Sequence, residues 1–569
     1  MYDRLRDPEF WLFRVYPLRV VVPVLLVAAV AAWIVLATTG MILVACAVAA
    51  AVALLGLIPV RGRTLTARIG AALARRQPMR PQRQIEAAPA VDVPQAEGGS
   101  YGIRWDGDLL LTMLRIDPPP DTLTLLRRGS LSTDHLLGLS RIAACLEQFD
   151  IALDSIDVVS VGARTAGTGV AAHLYEQILG PLPAVAHRTV WLVLRLDPLA
   201  NAEAVEKRGG GGEGAVRAAV IATRRIANRL AADDVAVSVL TAAEMNSAVR
   251  QLTHGFDVDA LTETPRSLRT EHRHLTHYRI DTALLNPRGL AEIWSTPSLT
   301  TAVTLRLCRG ADRTSTRRDH SGTVVLSAVV RFDTIAEPES PPLPGLRELH
   351  GQQLRMMLDT LPIAAAGRWD RGTGYRGTLA AIEEIVVPTA GCGQLIGADE
   401  QGQGIAVSLI GDGTRHLEVI GNLDVAQQVI LRATALGAHV VVHTARPDAW
   451  HTMVTHLAAP HLVSIAPRSA GASYHPPGPP PPAAAPYPST TVLVYDGIPP
   501  AMHAGGATIV HVRNPSDPNG QIEADVTLVQ DPHAPNRITV RTAAGSATVM
   551  MVTTPDEMQY IGESVVATR

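Results

Sequence analysis

A glycine-rich stretch, EKRGGGGEG at residues 206–214, is the first place where residue type and spacing could support chemistry. Gly209, Gly211 and Gly214 fit the pattern G-x-G-x-x-G, and an amphipathic helix is expected to follow them. A glycine loop that leads into a helix can bind a phosphate, because the backbone N–H groups at the helix N-terminus point at the anion. The pattern therefore raises the hypothesis of a nucleotide-binding enzyme.

The surroundings of the tract argue against a nucleotide. A dinucleotide site needs its first glycine directly after a strand, but residues 198–208 separate Gly209 from the strand that ends near Asp197. The carboxylate of Glu213 would repel a phosphate at the helix N-terminus. A Walker loop needs Gly-Lys-Ser/Thr, and Lys207, the single lysine of the chain, is not part of such a triplet. The sequence therefore predicts that the chain binds neither ATP nor NAD and needs no cofactor.

Two aspartates offer a second chemical hypothesis. Asp106 and Asp108 spell D-x-D, the metal-binding pair of many glycosyltransferases. Asp106 also precedes Gly107 between two apolar runs, and an Asp-Gly pair in that setting is a strong signal for a β-hairpin turn. The turn accounts for the pair without a metal, so we predict a hairpin and keep a membrane-anchored glycosyltransferase-like enzyme as the alternative.

The histidines do not form a complete metal site in the sequence. His272, His274 and His277 crowd together in EHRHLTH, but no nearby cysteine or carboxylate pair completes a catalytic zinc set. His439 and His443 fall on one face of an apolar strand, which is typical of core histidines. We therefore expect no metal centre at either place.

Cysteine usage and net charge limit the chemistry further. Cys46, Cys145, Cys308 and Cys392 lie far apart without a C-x-x-C pair, so neither a zinc site nor a disulfide framework is expected. The net charge is −3, from 50 basic and 53 acidic residues, and offers no general basic surface for nucleic acid. The sequence thus favours a protein that is not an enzyme, and partners that are neither nucleic acids nor small-molecule substrates.

Two apolar runs near the N-terminus predict a transmembrane hairpin. Residues 20–37 and 41–60 carry no charge and, at about 1.5 Å per helical residue, each is long enough to cross the hydrocarbon core of a bilayer. Arginines flank both outer ends, and positive flanks stay in the cytoplasm. We therefore expect a multi-pass protein of the inner (plasma) membrane with cytoplasmic N- and C-termini; a cleaved signal peptide is disfavoured because a second apolar run follows.

After the hairpin, helix-period and strand-period segments alternate, which is typical of layered α/β domains. The fold class we predict is α/β, with the N-terminal two-helix transmembrane hairpin followed by layered α/β cytosolic domains. Within this plan, a proline-rich spacer sets the terminal strands apart, so deleting residues 474–569 is expected to affect assembly less than changes elsewhere. The expected segments are a tail and hairpin (1–60), a basic juxtamembrane segment and linker (61–100), a first cytosolic α/β domain (101–385), and a second α/β segment (386–569) with the Pro-rich linker at 474–488.

One helix presents a candidate docking face. The stretch 214–233 is predicted as an amphipathic helix with Arg217, Arg224, Arg225 and Arg229 along part of its surface. Such a basic face is either solvated or docks onto an acidic partner. These four arginines are the candidate partner-docking residues of the chain.

The combination of segments resembles one known family. An apolar hairpin and a basic stretch precede RWDGDLLLTMLRI, then GPLPAVAHRTVWLVLRLDPLANAEAVEKRGGGGEGAVRAAVIATRRIANRLAADDVAVSVLTAAEM, then TTAVTLRLC. This pattern is similar to EccE, a membrane subunit of the actinobacterial type VII (ESX) secretion system. The resemblance covers roughly residues 20–360, so the domain at 101–385 is expected to be EccE-like, and the block 180–245 is its most specific part.

The resemblance implies a function. EccE assembles with EccB, EccC and EccD in a membrane complex in which EccC is the motor ATPase. That complex exports WXG100-type and related proteins, and EccE has no established enzymatic activity. We therefore expect a non-catalytic structural subunit of the ESX complex, with a stand-alone membrane scaffold as a further alternative.

Overall fold

The computed structural model describes most of the chain beyond residue 88. The basic juxtamembrane stretch at 65–88 and the Pro-rich linker at 474–488 lie outside the described residues. The described ranges are 4–7, 18–57, 59–60, 63–64, 89–96, 98–119, 123–310, 323–363, 374–411, 413–466, 490–500, 506–514 and 524–561.

The two apolar runs near the N-terminus form two helices that pack against each other, α1 (Leu18–Thr39) and α2 (Ile42–Leu57). Gly40 turns the chain between them with a φ of 64°, a left-handed conformation that glycine adopts without strain. Within the described ranges, no helix combines the length and the apolarity that crossing a membrane requires.

The helices after the hairpin are mostly short and lie between strands. Their bounds are α3 (Leu139–Ala143), α4 (Val170–Leu179), α5 (Ala202–Glu206), α6 (Gly211–Ala232), α7 (Ala242–Thr253), α8 (Pro287–Trp294), α9 (Gln353–Thr360), α10 (Leu423–Ala435), α11 (Asp448–Leu457) and α12 (Pro555–Ile561), with single 3₁₀ turns at Val258–Ala260, Thr282–Leu284 and Ala380–Ile382.

A first sheet runs through the first half of the body. Over the described residues it has thirteen strands, all paired antiparallel, with the order β14-β15-β16-β18-β17-β11-β12-β5-β4-β3, and with β13 on β5, β19 on β16 and β20 on β18. The strands are β3 (Val91–Pro94), β4 (Ser100–Asp106), β5 (Leu109–Ile116), β11 (Ser155–Ala163), β12 (His187–Leu196), β13 (Val237–Val239), β14 (Thr262–Glu263), β15 (Leu268–Arg269), β16 (His274–Ile280), β17 (Thr300–Arg309), β18 (Thr323–Thr334), β19 (Leu346–Glu348) and β20 (Tyr375–Thr378).

Helices cover both faces of this sheet. Because side chains alternate along a strand, Leu192 and Leu194 of β12 pack into one core with α6, whereas Trp191 and Val193 pack into another with α7 and α9. The result is a helix–sheet–helix sandwich. The expected α/β class is therefore confirmed for the body of the chain.

A second sheet of twelve strands, counted over the described residues, forms the second half. Its order is β26-β25-β27-β28-β24-β29-β30-β31-β22-β23-β6-β7, and the strands from β26 to β29 in that order are parallel. The strands are β6 (Thr124–Arg127), β7 (Ser130–Ser132), β22 (Gln394–Ala398), β23 (Gly404–Val407), β24 (His416–Ile420), β25 (Ala438–Thr444), β26 (Val463–Ile465), β27 (Thr490–Asp496), β28 (Thr508–Arg513), β29 (Val526–Asp531), β30 (Ala534–Thr542) and β31 (Gly545–Met551).

The two sheets are interlocked along the chain. The hairpin of β6 and β7, which precedes most of the first sheet in sequence, joins the edge of the second sheet through β23. Helix α4 likewise packs against α10. Three two-stranded ribbons complete the described strands: β1 (Pro59–Val60) with β2 (Arg63–Thr64), β9 (Glu147–Gln148) with β10 (Ile151–Ala152), and β8 (Leu136–Gly138) with β21 (Val386–Pro388).

The strand order bears on two predictions about where the chain divides, the domain boundary near residue 385 and the separation of the terminal strands. The division near residue 385 stays a prediction, to which the structure adds that the β6–β7 segment crosses it. The expectation that deleting residues 474–569 affects assembly less than changes elsewhere stays a prediction, but the structure contradicts its premise that the terminal strands are set apart from the body. Strands β27 and β28 lie between β25 and β24, so removing residues 474–569 takes strands out of the middle of the second sheet.

Candidate functional site

The glycine tract forms a tight corner between α5 and α6. Gly209, Gly210 and Gly211 have φ values of 107°, 71° and 57°, a conformation that other residues adopt only with strain. Helix α6 then begins inside the tract, and at Gly214 a side chain would approach the carbonyl oxygen of Val205 to well within 3.0 Å. The glycines are therefore explained by the turn and by close packing of two helices, without a phosphate.

Helix α6 is fixed to the first sheet by its inner face. Ala218, Ala222 and Ile226 are almost fully buried there. One polar contact lies among them, a hydrogen bond of 2.6 Å between the hydroxyl oxygens of Thr112 on β5 and Thr223 on α6. Because both groups are buried, this bond satisfies them and fixes the register of the helix on the sheet. The opposite face of α6 is therefore the one that can meet a partner.

The structure places the four candidate arginines in different settings. Arg217 is exposed and pairs with Glu213 one turn before it. Arg229 is exposed and donates a long hydrogen bond of 3.4 Å to the backbone carbonyl of Ala144. Arg224 is exposed. The helix thus carries three outward arginines: Arg217 and Arg224 lie two turns apart on one side, and Arg229 lies roughly 140° further round the helix.

Arg225 differs from the other three because it holds a neighbouring turn. It is half-buried, donates to the backbone carbonyl of Gln148 at 3.2 Å, and lies 3.6 Å from the carboxylate of Asp150. Its guanidinium also lies 5.2 Å from the ring centre of Phe149. Arg225 therefore serves the fold locally, and only in part the outer surface.

The turn held by Arg225 exposes an aromatic side chain. Phe149 is fully exposed and has a φ of 55°, which costs a bulky residue roughly 1–2 kcal/mol. The next residue, Asp150, accepts two hydrogen bonds from Arg208, at 2.7 and 3.1 Å, and this pairing lowers the pKa of Asp150 to about 2. An exposed aromatic side chain thus lies beside Arg225 of α6.

The other face of the first sheet carries a buried ionic cluster that sequence reasoning missed. Asp157 on β11 is fully buried and accepts hydrogen bonds from Arg195 on β12 and Arg306 on β17, the latter at 2.7 Å. Burial alone would raise the pKa of Asp157, but the two guanidinium groups hold it below its usual value. The signal in the sequence is a charged residue inside an apolar run of each of the three strands.

A second buried cluster lies on the same face. His254, at the end of α7, contacts Asp333 on β18, and Arg331 pairs with the same carboxylate at 2.9 Å. Burial opposes the charge on Asp333, yet Arg331 and His254 lower its pKa to about 2. His277 on β16 is fully buried beside them, and burial lowers its pKa to about 3. The cavity next to His277 measures about 10 Å³, which is room for roughly one water.

The D-x-D pair does not converge. The β4–β5 hairpin is confirmed, with Gly107 and Asp108 as its two turn residues. Asp106 ends β4 and is buried, 3.5 Å from the guanidinium of Arg195, whereas Asp108 is exposed in the turn. The glycosyltransferase alternative therefore loses the residue pair on which it rested.

The three clustered histidines separate in space. His272 is exposed, His274 Nδ1 contacts the hydroxyl of Ser267 at 3.0 Å, and His277 is buried. His439 and His443 are half-buried on β25, and the ring of His443 stacks on Tyr495 at 5.0 Å. Over the residues that the structure describes, no three His, Cys, Asp or Glu side chains are grouped so that they could hold a metal ion.

The parallel strands of the second sheet raise the question of a ligand site at their carboxyl ends. In such sheets ligands bind where neighbouring strands are followed by connections that run in opposite directions, which here is between β25 and β27. At the end of β24, the backbone N–H of Asn422 donates to the side-chain oxygen of Gln530 at 2.7 Å. At the end of β27, Asp496 accepts from Arg446 and Trp450, at 2.7 and 3.0 Å. Side chains of the chain itself therefore form hydrogen bonds with the N–H of Asn422 and with the carboxylate of Asp496.

Comparison with known proteins covers the corner and the helix described above. Residues 184–280, which include the glycine tract and α6, match the family model described as "Putative type VII ESX secretion system translocon, EccE".

Individual relatives extend this match. ESX-1 secretion system protein EccE1 of Mycolicibacterium smegmatis is 35% identical over 188 residues, 33% of this chain and 40% of that protein. ESX-5 secretion system protein EccE5 of Mycobacterium marinum is 28% identical over 298 residues, 48% of this chain and 68% of that protein. ESX-2 secretion system protein EccE2 of Mycobacterium tuberculosis is 24% identical over 358 residues, 62% of each chain. The aligned part spans about two fifths of the EccE1 relative's own length.

These matches show that part of the chain is similar to one class of protein, the components of type VII (ESX) secretion systems. Within that class the resemblance to EccE is confirmed, and its most specific part is the stretch that forms the glycine corner and the arginine-bearing helix.

Proposed function

We propose that the chain is a non-catalytic structural subunit of an ESX membrane complex, where it supports the export of WXG100-type and related proteins. Its partners in this proposal are EccB, EccD and the ATPase EccC of the same system. The observation that carries the proposal is the EccE match over residues 184–280, together with the outward arginines of α6 within that match. The role of a catalytic subunit has no support from the D-x-D pair, because Asp106 is buried against Arg195.

The hairpin of α1 and α2 is proposed as the attachment to the inner membrane. Its support is the exposure of large apolar side chains: Leu26, Trp33 and Leu43 are 62%, 71% and 84% exposed. A continuous apolar surface of this kind is unfavourable in water and marks a lipid or protein contact. The arginine-rich flanks favour cytoplasmic N- and C-termini, with the α/β body on the cytoplasmic face.

The docking proposal concerns α6. Arg217, Arg224, Arg225 and Arg229 are the candidate residues, and Arg224 and Arg229 are the most useful to test. Exposed arginines contribute little to stability, so reversing these two charges should leave the fold intact. Reversal at Arg225 would disturb the turn at Phe149 and is therefore a poor test of docking.

The experiment is co-purification from native membranes. Tagged wild-type protein should bring down EccB, EccC and EccD, and the double variant Arg224→Glu/Arg229→Glu should bring down severalfold less at unchanged melting temperature. Arg541→Glu, an exposed arginine on β30 of the second sheet, is the matched control and should behave as the wild type. If wild-type protein never brings down those subunits, the secretion role is wrong; purification as a lone protein would favour a stand-alone membrane scaffold.

A further inference from the structure

The short segment before the hairpin contacts the body. Arg6 and Arg376 exchange both backbone hydrogen bonds, at 2.7 and 2.9 Å, so that residue 6 adds an antiparallel bridge to the outer side of β20. Such a two-bond exchange fixes both the position and the direction of the segment.

Side chains on both sides of the bridge strengthen the contact. Leu5 packs against the core of the first sheet and lies over Gly377, where an added Cβ would meet its methyl group at 3.1 Å. The carboxylate of Asp7 is 5% exposed and lies 3.0 Å from the guanidinium of Arg347. Because an apolar contact and a largely buried ion pair flank the backbone bridge, the segment is docked specifically.

The chain lengths on the two sides of the hairpin are unequal. Helix α1 begins at Leu18, eleven residues after Asp7, and so many residues span at most roughly 40 Å when fully extended. On the other side, Val91, where β3 begins, comes 34 residues after Leu57, and this stretch spans at most roughly 120 Å. The N-terminal connection is therefore the one that limits how far the body can move from the hairpin.

We propose that residues 4–7 act as a strap that ties the body to the hairpin. The strap holds the outer edge of the first sheet close to the start of α1 and gives the body a preferred orientation. The strap requires both outer ends of the hairpin to lie on the same side of the membrane as the body, which agrees with the arrangement under Proposed function. The orientation of the body relative to a membrane rests on that proposed function. The contact between residues 4–7 and the body does not.

A disulfide tests the contact in the full-length chain. The Cα atoms of a residue pair that exchanges two hydrogen bonds lie about 5.5 Å apart, within the range that a disulfide bridges. In a Cys46→Ser background, Arg6→Cys/Arg376→Cys should form the bond on oxidation of the detergent-extracted protein. A protease site inserted between Gln77 and Pro78 then makes the bond visible, because both fragments stay joined on a non-reducing gel.

Two comparisons decide the result. The bond should form about tenfold faster than in the control pair Arg4→Cys/Arg376→Cys, which lies out of register. Adding Leu5→Asp/Asp7→Arg should slow the 6–376 pair by a similar factor, while the near-UV circular dichroism of the body stays unchanged. The proposal would be overturned if the two cysteine pairs formed the disulfide at equal rates. It would also be overturned if Leu5→Asp/Asp7→Arg left the rate of the 6–376 pair unchanged. Since no partner subunit takes part, failure here leaves the secretion role untouched.

Discussion

Two glycines of the same tract, two residues apart, should respond to alanine with opposite signs. Gly214 faces the backbone carbonyl of Val205, so an added Cβ would fall well within 3.0 Å of an atom that cannot move freely. Overpacking of this kind costs up to about 3 kcal/mol, and the gain of alanine over glycine inside a helix returns about 1 kcal/mol. Gly214→Ala should therefore destabilise the body by about 2 kcal/mol.

Gly212→Ala is the matched variant. Gly212 lies in the first turn of α6, a Cβ there meets nothing within 4 Å, and its φ is not positive. Alanine should restrict the unfolded chain and stabilise the body by about 0.5 kcal/mol. The glycine-to-alanine change is the same in both variants, so the difference in sign isolates the contact with Val205.

The assay is thermal and denaturant unfolding of the purified chain. At about 2–4 °C per kcal/mol for a unit of 150–250 residues, Gly214→Ala should melt several degrees lower and Gly212→Ala slightly higher than the wild type. If Gly214→Ala is as stable as the wild type, the close packing of α5 on α6 is wrong. If both variants lose stability equally, the tract has a role in the fold other than this corner.

Further perturbations test the buried clusters and the topology. Asp157→Asn leaves two buried guanidinium groups without their counter-charge and should cost about 3–5 kcal/mol of unfolding free energy; a loss below about 1 kcal/mol would show that water reaches the cluster. Folded His277, with its pKa lowered by burial to about 3, stays neutral while the unfolded chain takes up a proton below pH ~6.5. Its contribution is therefore complete above about pH 6.5 and falls towards pH 3 by up to ~1.4 kcal/mol per unit, and His277→Gln should flatten the measured slope. The three natural thiols of the body are buried, so topology needs introduced cysteines: with Cys46→Ser, an impermeant thiol reagent on intact cells should label Thr39→Cys, and label Glu213→Cys only after permeabilisation.

Local patterns in the sequence predicted local structure well. The Asp-Gly signal gave the β4–β5 hairpin, and the apolar periodicity placed a helix at 214–233, where α6 spans Gly211–Ala232. Both depend on interactions between residues close in sequence, which the residue types report directly. The glycine tract was only half understood from the sequence. Its surroundings excluded a phosphate loop, but the contact of Gly214 with Val205 depends on how two helices pack.

The features that could not be predicted from the sequence depend on pairing between strands that are distant along the chain. The Pro-rich stretch at 474–488 suggested a spacer before a separable end, yet β27 and β28 insert between β25 and β24. Parallel strands pair across long connections, so their neighbours are not determined by adjacency in sequence. The β6–β7 segment is a second case, because nothing in its local pattern indicates that it joins the far sheet.

The buried charged residues also could not be paired from the sequence, because their pairing depends on strand order. Asp157, Arg195 and Arg306 each interrupt an apolar strand, and the alternation of side chains says that each lies on one face. It does not say that β11 lies between β12 and β17, which is what brings the three side chains together. Strand order therefore had to come from the structure before the ionic cluster could be found.

The distribution of arginines also bears on how α6 could recognise a partner. Several basic residues close together suggest a positive surface, but Lys207 and Arg217 each pair with a glutamate four residues earlier, and Arg208 is held by Asp150. Such exposed pairs are worth little individually, yet they remove much of the net positive charge from this face. Steering by a large electric field is therefore a weak basis for docking here. Specific contacts by the exposed arginines Arg224 and Arg229, and by the exposed ring of Phe149, are a stronger basis, since arginine and aromatic side chains dominate the binding energy of interfaces. For this reason the loss of co-purification in Arg224→Glu/Arg229→Glu should change little between low and moderate salt, whereas a field effect would fade steeply as salt is added.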